Sequence, residues 1–432
     1  MPDLRSHAIA PSSAEFGNRT RRRIAVRLLP FLFVLYIFNY LDRTSVAYAA
    51  IGMSRDLGFS ARVFGLGAGV FFVSYVALQM PGALLVERWS ARRMISATMI
   101  AWGSVTALTG LAHTPVQLYV ARFALGAAEA AFFPGIIIYL SHWFIREDRA
   151  KATSDFMAAI PLSFVIGSPI AGWILSHKWF AVEGWRWLFI LEGMPAILLG
   201  AVAFFYLADW PREASWLAPA QQQWIGERLS TEEPHSAKAI SIRQVLGSRT
   251  ILLLAAVTFL NYFESYSFFF WFPTMLKRQS GLSDFNVGLL GAVPYLALFI
   301  GMQVNGLLSD RSRERHWHSA VPLFIATAGF LGLITQPRSI PLSLSLLFFT
   351  MACMGSAYLP VFWAIPSEIL SKSTAAAAIG MINAVGSVAG FASPYLFGYL
   401  NTRTRSFSAG LCVLMVSALA GGLLILFTPR RA

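Results

Sequence analysis

Apolar residues in this chain come in long runs rather than in alternation. Twelve stretches of roughly 18 to 27 residues recur with short polar breaks between them, the length that crosses about 30 Å of hydrocarbon as a helix. The first six lie near 24–50, 62–86, 94–112, 116–140, 153–176 and 186–208. The other six lie near 250–276, 285–308, 319–336, 341–366, 374–400 and 407–428. The pattern predicts an all-α membrane protein of twelve transmembrane helices. The longest polar break, 210–247, separates six spans from six. The expected organisation is therefore a tail (1–23), a first six-helix bundle (24–209), a linker (210–247) and a second bundle (248–432). The basic tail is expected to be largely disordered. The linker has one apolar side, made by Trp216-Leu217, Trp224-Ile225 and Leu229, and is expected to lie along the membrane interface.

Composition sharpens this picture. Only 13% of the 432 residues are charged and 56% are hydrophobic, against about 25% charged in ordinary soluble domains. The net charge of +13 is explained by position. Most Lys and Arg, including Arg19, Arg21, Arg22, Arg23, Arg88, Arg92, Arg93, Arg146, Arg149, Arg311, Arg313 and Arg315, fall on one side of the predicted spans. The positive-inside rule then places both termini in the cytoplasm, and a plasma (inner) membrane is the expected location. Nucleic-acid binding is excluded, because no soluble module is left to present the charge. A receptor would need a recognition domain, and an enzyme a metal cluster or nucleophile constellation; neither is apparent. Cys353 and Cys412 both lie within spans with no paired spacing, which argues against a disulfide framework or zinc site. The first run is too long for a signal peptide and carries Asp42-Arg43 in its middle, so it reads as a retained helix.

The two halves repeat. After span 2 stands Ala83-Leu-Leu-Val-Glu87-Arg88-Trp-Ser-Ala-Arg92-Arg93, and after span 8 stands Gly306-Leu-Leu-Ser-Asp310-Arg311-Ser-Arg-Glu-Arg315. Each has a small residue, an acid four positions on, Arg immediately after, and another Arg four beyond that. These loops resemble the signature of the major facilitator superfamily, although Ala83 and Ser90 stand where glycines are usual and Glu87 where Asp is. The resemblance implies the major facilitator fold, two pseudo-symmetric six-helix bundles. It also implies a gating role for Glu87, Arg88, Asp310 and Arg311, the acid capping or pairing with a neighbouring helix end when the cytoplasmic side is shut. Anchoring charge in a short loop is the alternative.

Ionisable residues inside spans cost about 2.5–3.5 kcal/mol each on insertion scales and are functional candidates by default. Asp42 and Arg43 in span 1, with Arg122 and Glu129 in span 4, form a balanced set of two acids and two arginines. Seven residues apart, Arg122 and Glu129 share a helix face, and Gly126 between them is expected to leave room there. Arg keeps its proton under any realistic burial, whereas a carboxyl starved of water can be neutral near physiological pH. An ionised Asp42 or Glu129 competes for an arginine; a protonated one frees it to bind a substrate carboxylate. Proton and anion then bind and leave together. A static buried ion-pair network is the alternative use of the same four residues.

A narrower resemblance follows from these motifs. Asn39-Tyr40-Leu41-Asp42-Arg43, the span 4 run from Arg122 through Gly126 and Glu129 to Pro134-Gly135, Gly184-Trp185-Arg186-Trp187 with Glu192-Gly193, Pro360-Val-Phe362-Trp363-Ala-Ile-Pro366, and Asn383 with Gly386 and Pro394 are similar to the anion:cation symporter family. That family includes permeases for hydroxyphenylacetate, phthalate, tartrate and sugar acids. The resemblance implies proton-coupled uptake of an organic anion by alternating access, in a monomer, with no cofactor beyond the proton gradient. It matches Asp42 and Glu129 to proton-carrying acids and Arg43 and Arg122 to anion-binding arginines. Tyr75 and Asn383 match polar cavity positions, and Tyr40 is a further candidate for the substrate wall. Trp271 and Trp363 are candidates to stack on a substrate ring, which would suit an aromatic carboxylate; a hydroxy acid or sugar acid remains open. Glu264 is the only acid deep in the second half and could contact substrate or a cation, while Glu192 is expected to pair locally, near Arg186 or a neighbour. Gly167-Ser168-Pro169 with Gly172 partly resembles a motif of drug antiporters, so a drug or metabolite antiporter of the same fold is the alternative function.

Overall fold

A computed structural model describes residues 13–232, 248–337, 340–369 and 372–429. Twelve helical spans order as α1 (Ser13–Asp56), α2 (Ala61–Arg88), α3 (Ala91–Thr109), α4 (Pro115–Trp143), α5 (Arg146–Leu175) and α6 (Gly184–Tyr206). After the linker come α7 (Arg249–Ser280), α8 (Asp284–Ser312), α9 (His316–Thr335), α10 (Leu342–Pro366), α11 (Lys372–Thr404) and α12 (Ser408–Leu426). Eleven of them are long and apolar enough by themselves to cross a membrane. The twelfth, α3, opens with Arg92-Arg93 and carries several Ser and Thr, which lowers its hydropathy. It is held by its packing against α6 and α4.

Among the described residues three spans are broken, each just ahead of a proline. A proline cannot donate to the carbonyl four residues earlier. α4 breaks at Ala130-Ala131 ahead of Pro134, and α5 at Ala158 ahead of Pro161. α10 tightens into a 3-10 stretch at Met354–Tyr358 ahead of Pro360, then breaks again at Trp363 ahead of Pro366.

The expectation of a largely disordered tail is corrected over residues 13–23. α1 already begins at Ser13 and runs 44 residues, about 66 Å, far beyond the bilayer. Its extension is held because Arg21 bonds both oxygens of Asp148 at 2.6 and 2.5 Å, Arg23 reaches Gln221 at 3.2 Å, and Thr20 is buried. The linker supplies part of that platform. Its helix Pro219–Thr231 turns Ile225 inward and sets Trp224 against Gly17, while Trp216 stacks on Trp143 at 5.4 Å. Residues 233–247 of the linker lie outside the described residues.

The buried apolar residues form a core that forks. At the end of the bundle opposite the termini, one cluster joins both halves, from Tyr48, Phe64 and Phe164 to Trp271, Tyr295 and Phe397. At the end carrying the termini the core splits: one cluster, from Ile24 to Ile225, belongs to the first half and linker, and another, from Ile251 to Ile425, belongs to the second half. The halves meet through α2 against α11, α5 against α8, and α1 against α7. At the joined end a Cβ on Gly172 would stand 2.8 Å from the Asp284 carbonyl and the Gly288 Cα, so only glycine allows α5 and α8 to approach this closely. The bundle is thus sealed at one end and parted at the other.

Candidate functional site

The four charged residues of spans 1 and 4 meet near the fork, between α1, α2, α3 and α4. They pair crosswise. Arg122 Nη1 lies 3.7 Å from Asp42 Oδ2, and Arg43 Nη2 lies 3.4 Å from Glu129 Oε2. Consecutive helix positions are turned by about 100°, so the neighbours Asp42 and Arg43 address different partners on α4. Glu129 is the last residue of its helical segment before the Pro134 break. Spacing along α4 put Arg122 and Glu129 on one face; the ion pairs instead run between helices, each acid to the arginine of the other span.

Each acid has a neutral second partner. Thr106 of α3 donates to Asp42 Oδ1 at 2.8 Å, and Asn39 Nδ2 donates to Glu129 Oε2 at 3.0 Å. The arginines lie on aromatic rings: Arg43 is 4.8 Å from the Tyr40 centroid, 5.3 Å from Phe71 and 5.4 Å from Tyr75, and Arg122 is 4.8 Å from Phe71. Rings hold the cations in place by cation–π attraction without consuming their N–H donors. Those donors are under-used. Both ion pairs are longer than the usual 2.7–2.9 Å of a charge-assisted bond. Arg43 Nε, Arg122 Nε and Nη1, Asp42 Oδ2 and Glu129 Oε1 are buried without a hydrogen-bond partner. Asp42, Arg122 and Glu129 are almost fully buried, while the Arg43 side chain keeps 15% exposure. The set is balanced in charge but leaves donors and acceptors unmet, which makes it a poor static strut.

Other candidates fall in several places. Tyr75 stacks on Phe71 at 5.5 Å beside Arg43. Asn383 of α11 accepts from the Tyr262 hydroxyl at 3.2 Å, and Trp363 sits at the second α10 break against Phe362. Trp271 is placed elsewhere: it is 2% exposed, stacks on Phe397 and donates to the Pro394 carbonyl at 3.3 Å. It is part of the sealed end, because the α7 face it occupies packs on α11. Gly126 leaves no substrate space either. A Cβ there would collide with the Phe71 carbonyl and the Ser74 hydroxyl, so its smallness admits the α2 backbone. Glu192 does not pair near Arg186 but with the Ser45 hydroxyl of α1, while Arg186 reaches Asp56 and the Gly110 and Ala112 carbonyls.

In the repeated loops, Asp310 pairs with Arg315 at 2.6 Å, within its own turn. Arg88 and Arg311 are exposed, and the side chain of Glu87 lies outside the described residues. Sequence reasoning missed Asp209, just beyond α6. It accepts from the Ser90 hydroxyl at 2.6 Å and the Arg92 N–H at 2.9 Å, placing negative charge at the positive end of α3. Only its position after a span hinted at that role.

Residues 32–394 match the family model of the Major Facilitator Superfamily, and the chain belongs to that superfamily: it is an integral membrane transporter rather than an enzyme. It is 38% identical over 415 residues to a putative tartrate transporter of Agrobacterium vitis, covering 94% of this chain and 95% of that one. It is 32% identical to a quinolone resistance transporter of Acinetobacter baumannii, covering 94% of each. Among solved structures, a bacterial homolog of the human lysosomal transporter Spinster superposes with a TM-score of 0.73 at 19% identity, covering 95% of each chain.

Proposed function

We propose that this transporter carries a small organic acid together with a proton, by symport and uptake across a plasma (inner) membrane, with both termini cytoplasmic. The observation that carries the reading is the crosswise pair of under-bonded ion pairs, with guanidinium donors free in a charge-balanced site. An incoming carboxylate takes an arginine from its acid; that acid then needs a proton, because an unpaired carboxylate cannot stay in so dry a place. Electroneutrality therefore couples one charge to the other. The similarity to a protein named as a putative tartrate transporter supports a hydroxy acid as cargo. The site lies near the fork of the core, where rocking the halves about the joined end would expose it alternately, as such folds do. Glu87 and Arg88 close α2 and Asp310 and Arg311 the last turn of α8, at the parted end, and would meet when it closes.

The test is anion binding by purified protein, followed by thermal shift over a panel of carboxylates. Arg43→Lys and Arg122→Lys keep the charge but lose the planar fork, and should each weaken binding of the best carboxylate by at least about tenfold, roughly 1.4 kcal/mol. Wild-type affinity in both variants would refute the assignment. A second reading, proton-coupled export of a drug or metabolite, is favoured by the relative named for quinolone resistance. Vesicle assays of direction separate them: uptake into vesicles with cytoplasmic faces inward supports the first reading, and extrusion supports the second.

A further inference from the structure

A second acid-bearing cluster lies in the other half, apart from the four charges. Glu264 of α7 is 1% exposed, and among the described residues no ion pair involves it. Its one described hydrogen bond comes from the Ser265 hydroxyl, at 3.0 Å to Oε2; Ser265 in turn bonds Ser356 of α10 at 2.9 Å. Ser356 belongs to the 3-10 stretch that Pro360 forces on α10. The carboxyl also lies against Gly355, where an added Cβ would stand 3.1 and 3.2 Å from its two oxygens. The other titratable groups facing it are Cys353 and Tyr358, both on α10; α9 contributes the methyl of Ala326 beside Gly355. No cation approaches from α7, α9 or α10 among the described residues.

We propose that Glu264, linked through Ser265 to Ser356, is a second proton-binding site, and that its proton holds the broken segment of α10 against α7. An ionised carboxylate with one hydroxyl donor and no cation is poorly accommodated in a dry interior, whereas the neutral acid fits. Among the described residues no group of three acids, histidines or cysteines gathers there to hold a metal ion, so the proton is the favoured occupant. Because α10 is already irregular here, water reaching the carboxyl can release the segment by loosening one short contact rather than by unwinding a regular helix. The inference deepens the proton-coupled reading above and rests on it for its place in the transport cycle. The site itself can be tested without any substrate.

The probe is Cys353, buried on α10 beside the acid, in a Cys412→Ser background. Its labelling by a membrane-permeant maleimide is followed in reconstituted protein from pH 6 to 8.5. Ionisation of the thiol alone gives at most about a tenfold rise per pH unit. The proposal expects a steeper limb in wild type, because the Glu264 proton must leave as well, and a thiol-only slope in Glu264→Gln. Ser265→Ala, which removes the hydroxyl bonded to the carboxyl, should displace the steep limb along the pH axis, and provides the test if Glu264→Gln does not fold. Equal slopes in wild type and Glu264→Gln, or an unmoved limb in Ser265→Ala, overturn the proposal. Suppression of labelling by Na+ but not K+ at fixed pH, lost in Glu264→Gln, also overturns it and assigns a sodium ion instead. Failure of anion binding would leave these slopes unchanged, so it bears only on the transport reading.

Discussion

On the proposed mechanism, Glu129→Gln isolates the competition between an acid and a substrate for Arg43. Arg43 Nη2 stands 3.4 Å from Glu129 Oε2; at an effective dielectric of about 20, two unit charges at that distance attract by about 5 kcal/mol. Solvation and the neighbouring rings take back much of this, and coupling energies measured for close charge pairs start at about 1.5 kcal/mol. Removing the competing charge should therefore strengthen anion binding by about 2 kcal/mol, roughly thirtyfold, at a pH where the wild-type acid is ionised. The sign follows from linkage. In wild type, raising pH ionises Glu129, which claims Arg43 and weakens anion binding by up to about tenfold per pH unit for one coupled proton. In Glu129→Gln that limb should be flat, because the amide has no proton to lose and retains a polar group beside Asn39. Exchange of labelled for unlabelled anion across vesicles should then stay within about threefold of wild type, while accumulation driven by a pH gradient is lost. Counterflow and gradient-driven uptake, measured side by side in one preparation, check both halves of this. Gradient-driven accumulation at the wild-type level in both Glu129→Gln and Asp42→Asn would refute the reasoning, since the proton would then travel without either acid.

Two further outcomes follow from other contacts. Thr106→Val removes the hydroxyl that bonds Asp42 at 2.8 Å at almost constant volume. It should cost about 1.5–3 kcal/mol in the interaction with the ionised acid and shift the pH dependence of anion binding; an unchanged profile would show that Asp42 stays neutral throughout. Gly172→Leu places a side chain where the Asp284 carbonyl and Gly288 already stand, an overpacking of about 1–3 kcal/mol. It should open the joined end, read as faster modification of a cysteine introduced there, with the protein still inserted and folded.

Much of the architecture was legible because a bilayer imposes a simple rule: every backbone group crossing it must be bonded within its own segment. Run length alone therefore located the twelve spans; proline positions did not locate the breaks, since Pro30, Pro81, Pro195 and Pro294 lie inside continuous helices. The charged set was legible for the same reason, since ions inside hydrocarbon are rare. Neither signal carries rotation or partner. Asp42 and Arg43 are adjacent in sequence, yet only packing decides that one meets Arg122 and the other Glu129. Trp271 and Gly126 read as site residues because aromatic and small residues serve both binding and packing; the approach of α11 and of α2 assigns them to packing. Glu192 could not be assigned from its neighbours in sequence, because its partner Ser45 comes from α1.

Residue order alone established what must lie in the membrane, how many times the chain crosses it, and which few charges are too costly to be accidental. Only the tertiary structure decided that the helices join at one end and part at the other, that the acids and arginines pair crosswise, and that Glu264 has a hydroxyl chain to α10 and no described cation. The division has a physical cause. Transfer into hydrocarbon is a sum over residues along one segment, so it can be read in order. Ion pairing and close packing depend on distances of a few ångströms between segments far apart in the chain, and those distances exist only once the helices have docked.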